Sequence, residues 1–137
     1  MSFRASHYTE RLRKAGLRPT RQRLGLAQLL FAHGDRHVTA ESLHEEAVTA
    51  GMPVSLATVY NTMHQFTEAG LLRDVTVDGN RTYFDTNTGN HHHFYCEDDG
   101  TLMDIDGEAI AVAGVPAPPE GSQVERVDVI VRLKRTV

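Results

Sequence analysis

The spacing of apolar residues changes once along this chain, and that change limits the fold more than any other feature. Up to Gly70 apolar residues recur three and four apart, and from Leu72 they alternate. The first pattern predicts four helices. Tyr8 to Ala15 is short and basic and stops at Gly16, and Thr20 caps a second helix through Leu30 with Leu24, Ala27, Leu30 and Phe31 on one stripe. Thr39 caps a third, with Leu43, Ala47 and Val48 inward and Gly51 ending it; Ser55 caps a fourth, with Val59, Met63 and Phe66 buried before Gly70. Only residues 51–54 join the last two, so they form a helix-turn-helix candidate. Next, Leu72, Asp74 and Thr76 alternate with Arg73, Val75 and Val77. Asp78-Gly79 supplies a tight turn, and Arg81 to Phe84 returns as a second strand. Helices followed by a hairpin predict an α+β chain whose residues 1–84 form a winged-helix DNA-binding domain.

A chain of 137 residues, 40 % hydrophobic and 23 % charged, suits one or two small globular domains and excludes a large multidomain enzyme. The uncharged stretches Leu24 to Gly34 and Ala109 to Pro119 fall short of the roughly 18 apolar residues that cross a bilayer, so no membrane partner is expected. Met1 to Lys14 has no apolar stretch of the signal-peptide kind, and a cytoplasmic protein is expected. The net charge of -4 conceals an asymmetry. Up to Arg36 eight basic residues face only Glu10 and Asp35, a net +6, and the remainder carries -10. A basic start on an acidic protein predicts a local surface for an anionic ligand, most economically double-stranded DNA.

The polar run Asp85 to Asn90 has no period and is expected to be a hinge. Residues 91–137 then form a second module. Its strand candidates are His91 to Glu97, Thr101 to Asp106 and Val124 to Leu133, with a short helix around Glu108 to Ala113 and a loop from Pro116 to Gly121. So small a module with open strand edges predicts pairing with a second copy, hence a homodimer.

The triplet His91-His92-His93 is the most unusual feature of that module. On a strand His91 and His93 share one face and His92 takes the other. With Asp98-Asp99 or Asp99-Gly100 at the centre of a two-residue turn, His93 faces Asp104 or Asp106, and Phe94, Cys96, Met103 and Ile105 pack the opposite face. A three-residue loop would reverse that register. Asp85 and His37 are further ligand candidates. Imidazole and carboxylate without thiolate suit iron(II), manganese or zinc rather than copper(I). The single cysteine, Cys96, excludes an intrachain disulfide and a four-cysteine zinc site, and on its apolar face it is expected to be a core thiol.

Several of these segments resemble the ferric uptake regulator (Fur) superfamily. The resemblance is carried by Ala15-Gly-Leu-Arg-Pro-Thr-Arg-Gln-Arg23, His37-Val-Thr-Ala-Glu-Ser-Leu43, and Leu56-Ala-Thr-Val-Tyr-Asn61 with Gln65-Phe66. Pro53 to Thr62, Thr82-Tyr-Phe-Asp-Thr-Asn87, the histidine triplet and Val127 to Arg135 are similar, more narrowly, to the iron response regulators of alphaproteobacteria. The resemblance implies a dimeric regulator, mainly a repressor, of iron-uptake and haem-biosynthesis genes. It implies a regulatory site for Fe2+ or Mn2+, or else Zn2+, on His37, Asp85, His91, His93 and Asp104, and haem as a regulatory ligand of His91, His92 and His93. Where most of the superfamily has C-x-x-C, this chain has Cys96-Glu-Asp-Asp99, so no structural zinc is expected.

The DNA-contacting set expected on this basis is Arg18, Thr20, Arg21, Arg23, Ser55, Ala57, Thr58, Tyr60 and Asn61. Tyr60 would lie against thymine methyl groups, Asn61 would pair with adenine, and Ser55 and Thr58 would hold phosphates. Arg18, by resemblance, reaches the minor groove, and Arg21 and Arg23 anchor the backbone. The alternative within the family is a metal- or peroxide-responsive repressor indifferent to haem. A small metalloenzyme with Glu97 or Asp106 as base would leave the basic helix-turn-helix without a purpose, and no enzymatic activity is expected.

Overall fold

The computed structural model describes residues 3–78 and 81–136, in two compact units, Met1–Thr88 and Gly89–Val137. The first unit contains helices α1 (Phe3–Lys14), α2 (Arg21–Phe31), α3 (Ala40–Thr49) and α4 (Leu56–Glu68). Its strands are β1 (His37–Val38), β2 (Arg73–Asp78) and β3 (Arg81–Asp85). Three of the helices begin where a hydroxyl takes up an otherwise unpaired backbone N–H. Thr20 accepts from Arg23 at 3.2 Å, Ser55 accepts from Thr58 at 3.1 Å, and Thr39 and Ser42 cap one another reciprocally. α4 stops at Gly70, whose φ of 82° lets Leu71 N–H turn back to the Phe66 carbonyl at 2.8 Å.

The inward stripes of these helices meet in one core. Leu26, Leu30, Leu43, Ala47, Val59, Met63 and Phe66 are almost completely buried, and Phe84 of β3 joins them. Phe66 and Phe84 are the largest of the fully buried side chains. Between α3 and α4, His44 Nε2 donates to the Val54 carbonyl at 3.0 Å and fastens the turn. The antiparallel sheet has the order β1-β3-β2, with His37 and Arg73 both directly opposite Asp85.

The second unit contains β4 (His91–Cys96), β5 (Thr101–Asp106) and β6 (Ile130–Leu133), in the order β5-β4-β6. β4 and β5 are antiparallel, pairing His93 with Asp104 and Cys96 with Thr101, and β6 runs parallel to β4. Gly107 approaches the start of β4 so closely that a Cβ there would stand 2.5 Å from the Asn90 carbonyl oxygen.

Several local expectations are corrected. α1 begins at Phe3 rather than Tyr8, and β1 was not expected because two residues carry no period. Val48 is 57 % exposed rather than inward, and Met103 is 42 % exposed rather than packed. The helix expected around Glu108 to Ala113 is a single 3-10 turn, Gly107–Ala109, capped by Asp106; Ile110 is already extended, and the half-exposed, β-branched Val112 has no apolar face to join. The last strand starts at Ile130, not Val124. Just before it, Val129 N–H bonds to the His92 ring instead of to a strand carbonyl. The Asp78-Gly79 turn lies in part outside the described residues.

Candidate metal centre and nucleic-acid interface

α4 divides into two faces. Val59, Thr62, Met63 and Phe66 are buried, whereas Leu56, Ala57, Tyr60, Asn61 and Gln65 are exposed, Tyr60 by 46 %. At its start Ser55 and Thr58 hydroxyls bond to each other at 3.0 Å. The Tyr60 ring meets His64 edge to face with centroids 4.5 Å apart, and His64 meets Phe84 at 5.5 Å. That ladder ties the exposed tyrosine to the core. Arg18, Thr20 and Arg21 are exposed where the chain enters α2. Arg23 is half-buried and internally engaged: its guanidinium donates to the Arg18 carbonyl and to Gln65 Oε1, each at 2.9 Å. Sequence reasoning missed the His64 and Gln65 contacts, since His64 reaches Phe84 in another element and Gln65 reaches Arg23, 42 residues away.

In the same unit the short strand β1 presents His37 to Asp85. His37 Nε2 lies 3.1 Å from Asp85 Oδ2, and the other carboxylate oxygen accepts from Asn87 N–H at 2.9 Å. The Asp85 side chain is fully buried. Arg73, buried and directly across from Asp85 on β2, puts a permanent cation in the same row of the sheet. The sequence signal for that neighbour was present only as a basic residue inside an alternating strand.

In the second unit the β4–β5 register sets two imidazoles over one carboxylate. His91 Nε2 and His93 Nε2 lie 3.5 and 3.3 Å from Asp104 Oδ1, with the rings 4.5 Å apart. All three histidines of the triplet are buried, and Asp104 is 36 % exposed. His91 Nδ1 donates to the Gly89 carbonyl at 2.6 Å, and a carbonyl can only accept, so this bond turns Nε2 toward the carboxylate. Asp106 stands opposite His91 but accepts from Glu108 N–H, so Asp104 is the carboxylate shared by both rings. His92 is on the other face, where its Nδ1 accepts the Val129 N–H at 3.1 Å. Cys96 is buried at the end of the strand.

Each unit therefore holds a nitrogen and oxygen donor set, His37 with Asp85 and His91 with His93 and Asp104. Such donors fit a divalent iron, manganese or zinc ion. A helix-turn-helix with Tyr60, Asn61 and Gln65 outward, in a chain that also carries imidazole–carboxylate sets, fits a metal-binding regulator of the winged-helix class.

Comparison with known proteins narrows the class. The model of the ferric uptake regulator family matches residues 14–130. The ferric uptake regulation protein of Pseudomonas aeruginosa is 38 % identical over 95 residues, 69 % of this chain and 71 % of the relative; that of Escherichia coli K12 is 33 % identical over 100 residues, 72 % and 68 % respectively. The solved structure of the P. aeruginosa ferric uptake regulator with manganese superposes with a TM-score of 0.72 at 29 % identity, covering 95 % of this chain and 98 % of that one. The Vibrio cholerae ferric uptake regulator gives 0.72 at 25 % identity, covering 93 % and 98 %. The chain belongs to the ferric uptake regulator family. It is accordingly a dimeric, DNA-binding, metal-responsive transcriptional regulator and not an enzyme. Among the described residues no helix is long and apolar enough to cross a membrane.

Proposed function

We propose that this regulator senses both a divalent metal and haem, and represses iron-uptake and haem-biosynthesis promoters from the cytoplasm. The observation that carries the reading is the buried triplet: His91 and His93 converge on Asp104 while His92 serves the opposite face. In this reading His37, Asp85, His91, His93 and Asp104 serve one regulatory centre for Fe2+ or Mn2+, or else Zn2+. A bound ion supplies positive charge and a fixed coordination geometry to these donors.

The protein's own groups do the rest. Residues 1–84 hold the DNA, 85–90 form the hinge, and 91–137 carry the dimer contacts and the sensing triplet. Tyr60 packs on thymine methyl groups, Asn61 forks onto adenine, and Ala57 leaves room for the bases beside them. Ser55, Thr58 and Thr20 hold phosphates near two helix N-termini, Arg21 and Arg23 add positive charge along the backbone, and Arg18 enters the minor groove. His91, already tethered to Gly89 through Nδ1, offers Nε2 to metal or haem without changing tautomer. His92 can offer Nε2 only by moving its proton to Nδ1 and giving up Val129. His91 or His93, if given to haem, would be a donor lost to the metal set, and His92, if given to haem through Nε2, would release the Val129 N–H.

The test is binding of the Mn2+-loaded protein to a labelled iron-gene promoter fragment, titrated with haem while the Soret band is followed. Specific binding that disappears as a histidine-ligated Soret band grows is the expected result. Binding that needs metal but ignores haem would leave a metal-dependent Fur-type repressor, the reading favoured by the manganese-containing structural relative.

A further inference from the structure

The DNA-reading face has two parts that belong to different elements: the residues entering α2, with Arg18, and the outward row of α4, with Tyr60 and Asn61. One side chain touches both. Arg23 sits in the first turn of α2, where its own N–H is held by Thr20 Oγ1. Its Nη1 donates to the Arg18 carbonyl and its Nη2 to Gln65 Oε1, 42 residues away on α4 and one turn beyond Asn61. The rigid planar fork of a guanidinium can hold two acceptors at a fixed separation, which the single ammonium of a lysine cannot. Both acceptors are uncharged, so the contact is directional and leaves the positive charge in place.

We infer that Arg23 is a positioning residue for DNA readout: it locks the backbone at Arg18 to the recognition helix at Gln65, so that the minor-groove and major-groove contacts are made together. This rests on the DNA-reading assignment proposed above and replaces the simpler role of a phosphate anchor. The two roles differ in what they do to salt dependence. A phosphate anchor contributes equally on every sequence, and its loss lowers the slope of log affinity against log salt by about one. A positioning residue affects discrimination between sequences and, when its charge is retained, leaves that slope unchanged.

The experiment uses the full-length Mn2+-loaded protein and the tightest duplex it selects from a random library, with a scrambled duplex of the same composition as reference. Fluorescence anisotropy is recorded over a range of salt concentrations for Arg23→Lys, which keeps the charge but not the fork, and for Gln65→Ala, which removes the acceptor without touching charge. Thermal melts confirm that each variant folds. Both variants are expected to lower the selected-over-scrambled affinity ratio about tenfold, as the loss of one or two hydrogen bonds predicts, with the wild-type salt slope. An unchanged ratio in both would overturn the inference, as would a loss in Arg23→Lys that is equal on the two duplexes. Arg23→Gln gives a second check: a slope reduced by about one with the ratio intact identifies a phosphate anchor. Failure of the wild-type protein to enrich any sequence would overturn the DNA-reading assignment itself, a result distinct from the variant outcomes.

Discussion

Asp85 carries the sharpest constraint on any one side chain. Its carboxylate is fully buried, with His37 across one strand and Arg73 across the other. Replacing one member of such a buried row leaves the others uncompensated, so Asp85→Asn is expected to destabilise the first unit by about 3 to 5 kcal/mol. Metal affinity, followed by competition with a chelator, should fall at least tenfold; wild-type affinity in a variant that still folds would remove Asp85 from the metal set. A second substitution tests the core alone. Phe66→Ala empties a site with no solvent exposure and should cost about 3 to 5 kcal/mol in urea denaturation. His37 and Asp85 were recognisable as ligand candidates from residue type and place. Arg73 was not, because nothing in an alternating strand announces which residue will stand across from it.

At the scale of elements, what was legible in the sequence is what is local. Thr20, Thr39 and Ser55 were readable as helix starts because a cap acts over three residues. The face shared by β4 and β5 was readable because alternation and the short acidic turn constrain each other, but the register stayed open between Asp104 and Asp106 opposite His93, and the structure pairs His93 with Asp104. The contacts that escaped reading span the chain, Arg23 to Gln65 over 42 residues and Val129 to His92 over 37. The stretch before β6 was misread as strand because Val124, which is exposed, looks buried until the packing is known. The hairpin makes two predictions. One residue inserted between Asp98 and Asp99 shifts the register by one and turns Asp104 away from His91 and His93. Metal affinity should collapse, measured by chelator competition, while helical circular dichroism is retained. In the same turn the hydrogen bonds of Thr101, and then the Arg135 guanidinium, hold the Asp99 carboxyl far below its ordinary value of 3.8. A carboxyl lowered by folding adds stability above its unfolded value, and that stability is lost as pH falls below about 4 toward the folded value. Asp99→Asn should therefore be less stable than wild type at neutral pH, with the difference narrowing on acidification in urea titrations.

For the whole molecule, charge and assembly matter more than any one contact. The first 36 residues are net +6 on a chain that is net -4, so the charge that attracts DNA is concentrated on the residues that precede the helix-turn-helix. Affinity for the selected duplex should fall steeply with added salt, by about tenfold per tenfold rise in salt for each phosphate neutralised. Because the family binds as dimers, the midpoint of DNA binding should depend on protein concentration below the dimer dissociation constant, which sedimentation measures independently. Neither property was hidden in the sequence: the charge is a count, and an undersized module with open strand edges already called for a partner.

The bond from Val129 to His92 has a mechanical consequence. A side chain in the middle of the histidine triplet supplies the acceptor that a neighbouring strand would normally supply, so the entry to the last strand is held by an imidazole as well as by the His93 N–H bond to the Val129 carbonyl and the β4–β6 ladder. A ligand that claims the Nδ1 side of that ring takes this one bond from the segment entering β6, while the ladder to β4 still holds Ile130 to Leu133. Protease cleavage in the segment just before Ile130 is therefore expected to rise when the His92 ring is claimed, a change legible on a gel without DNA or a spectrophotometer.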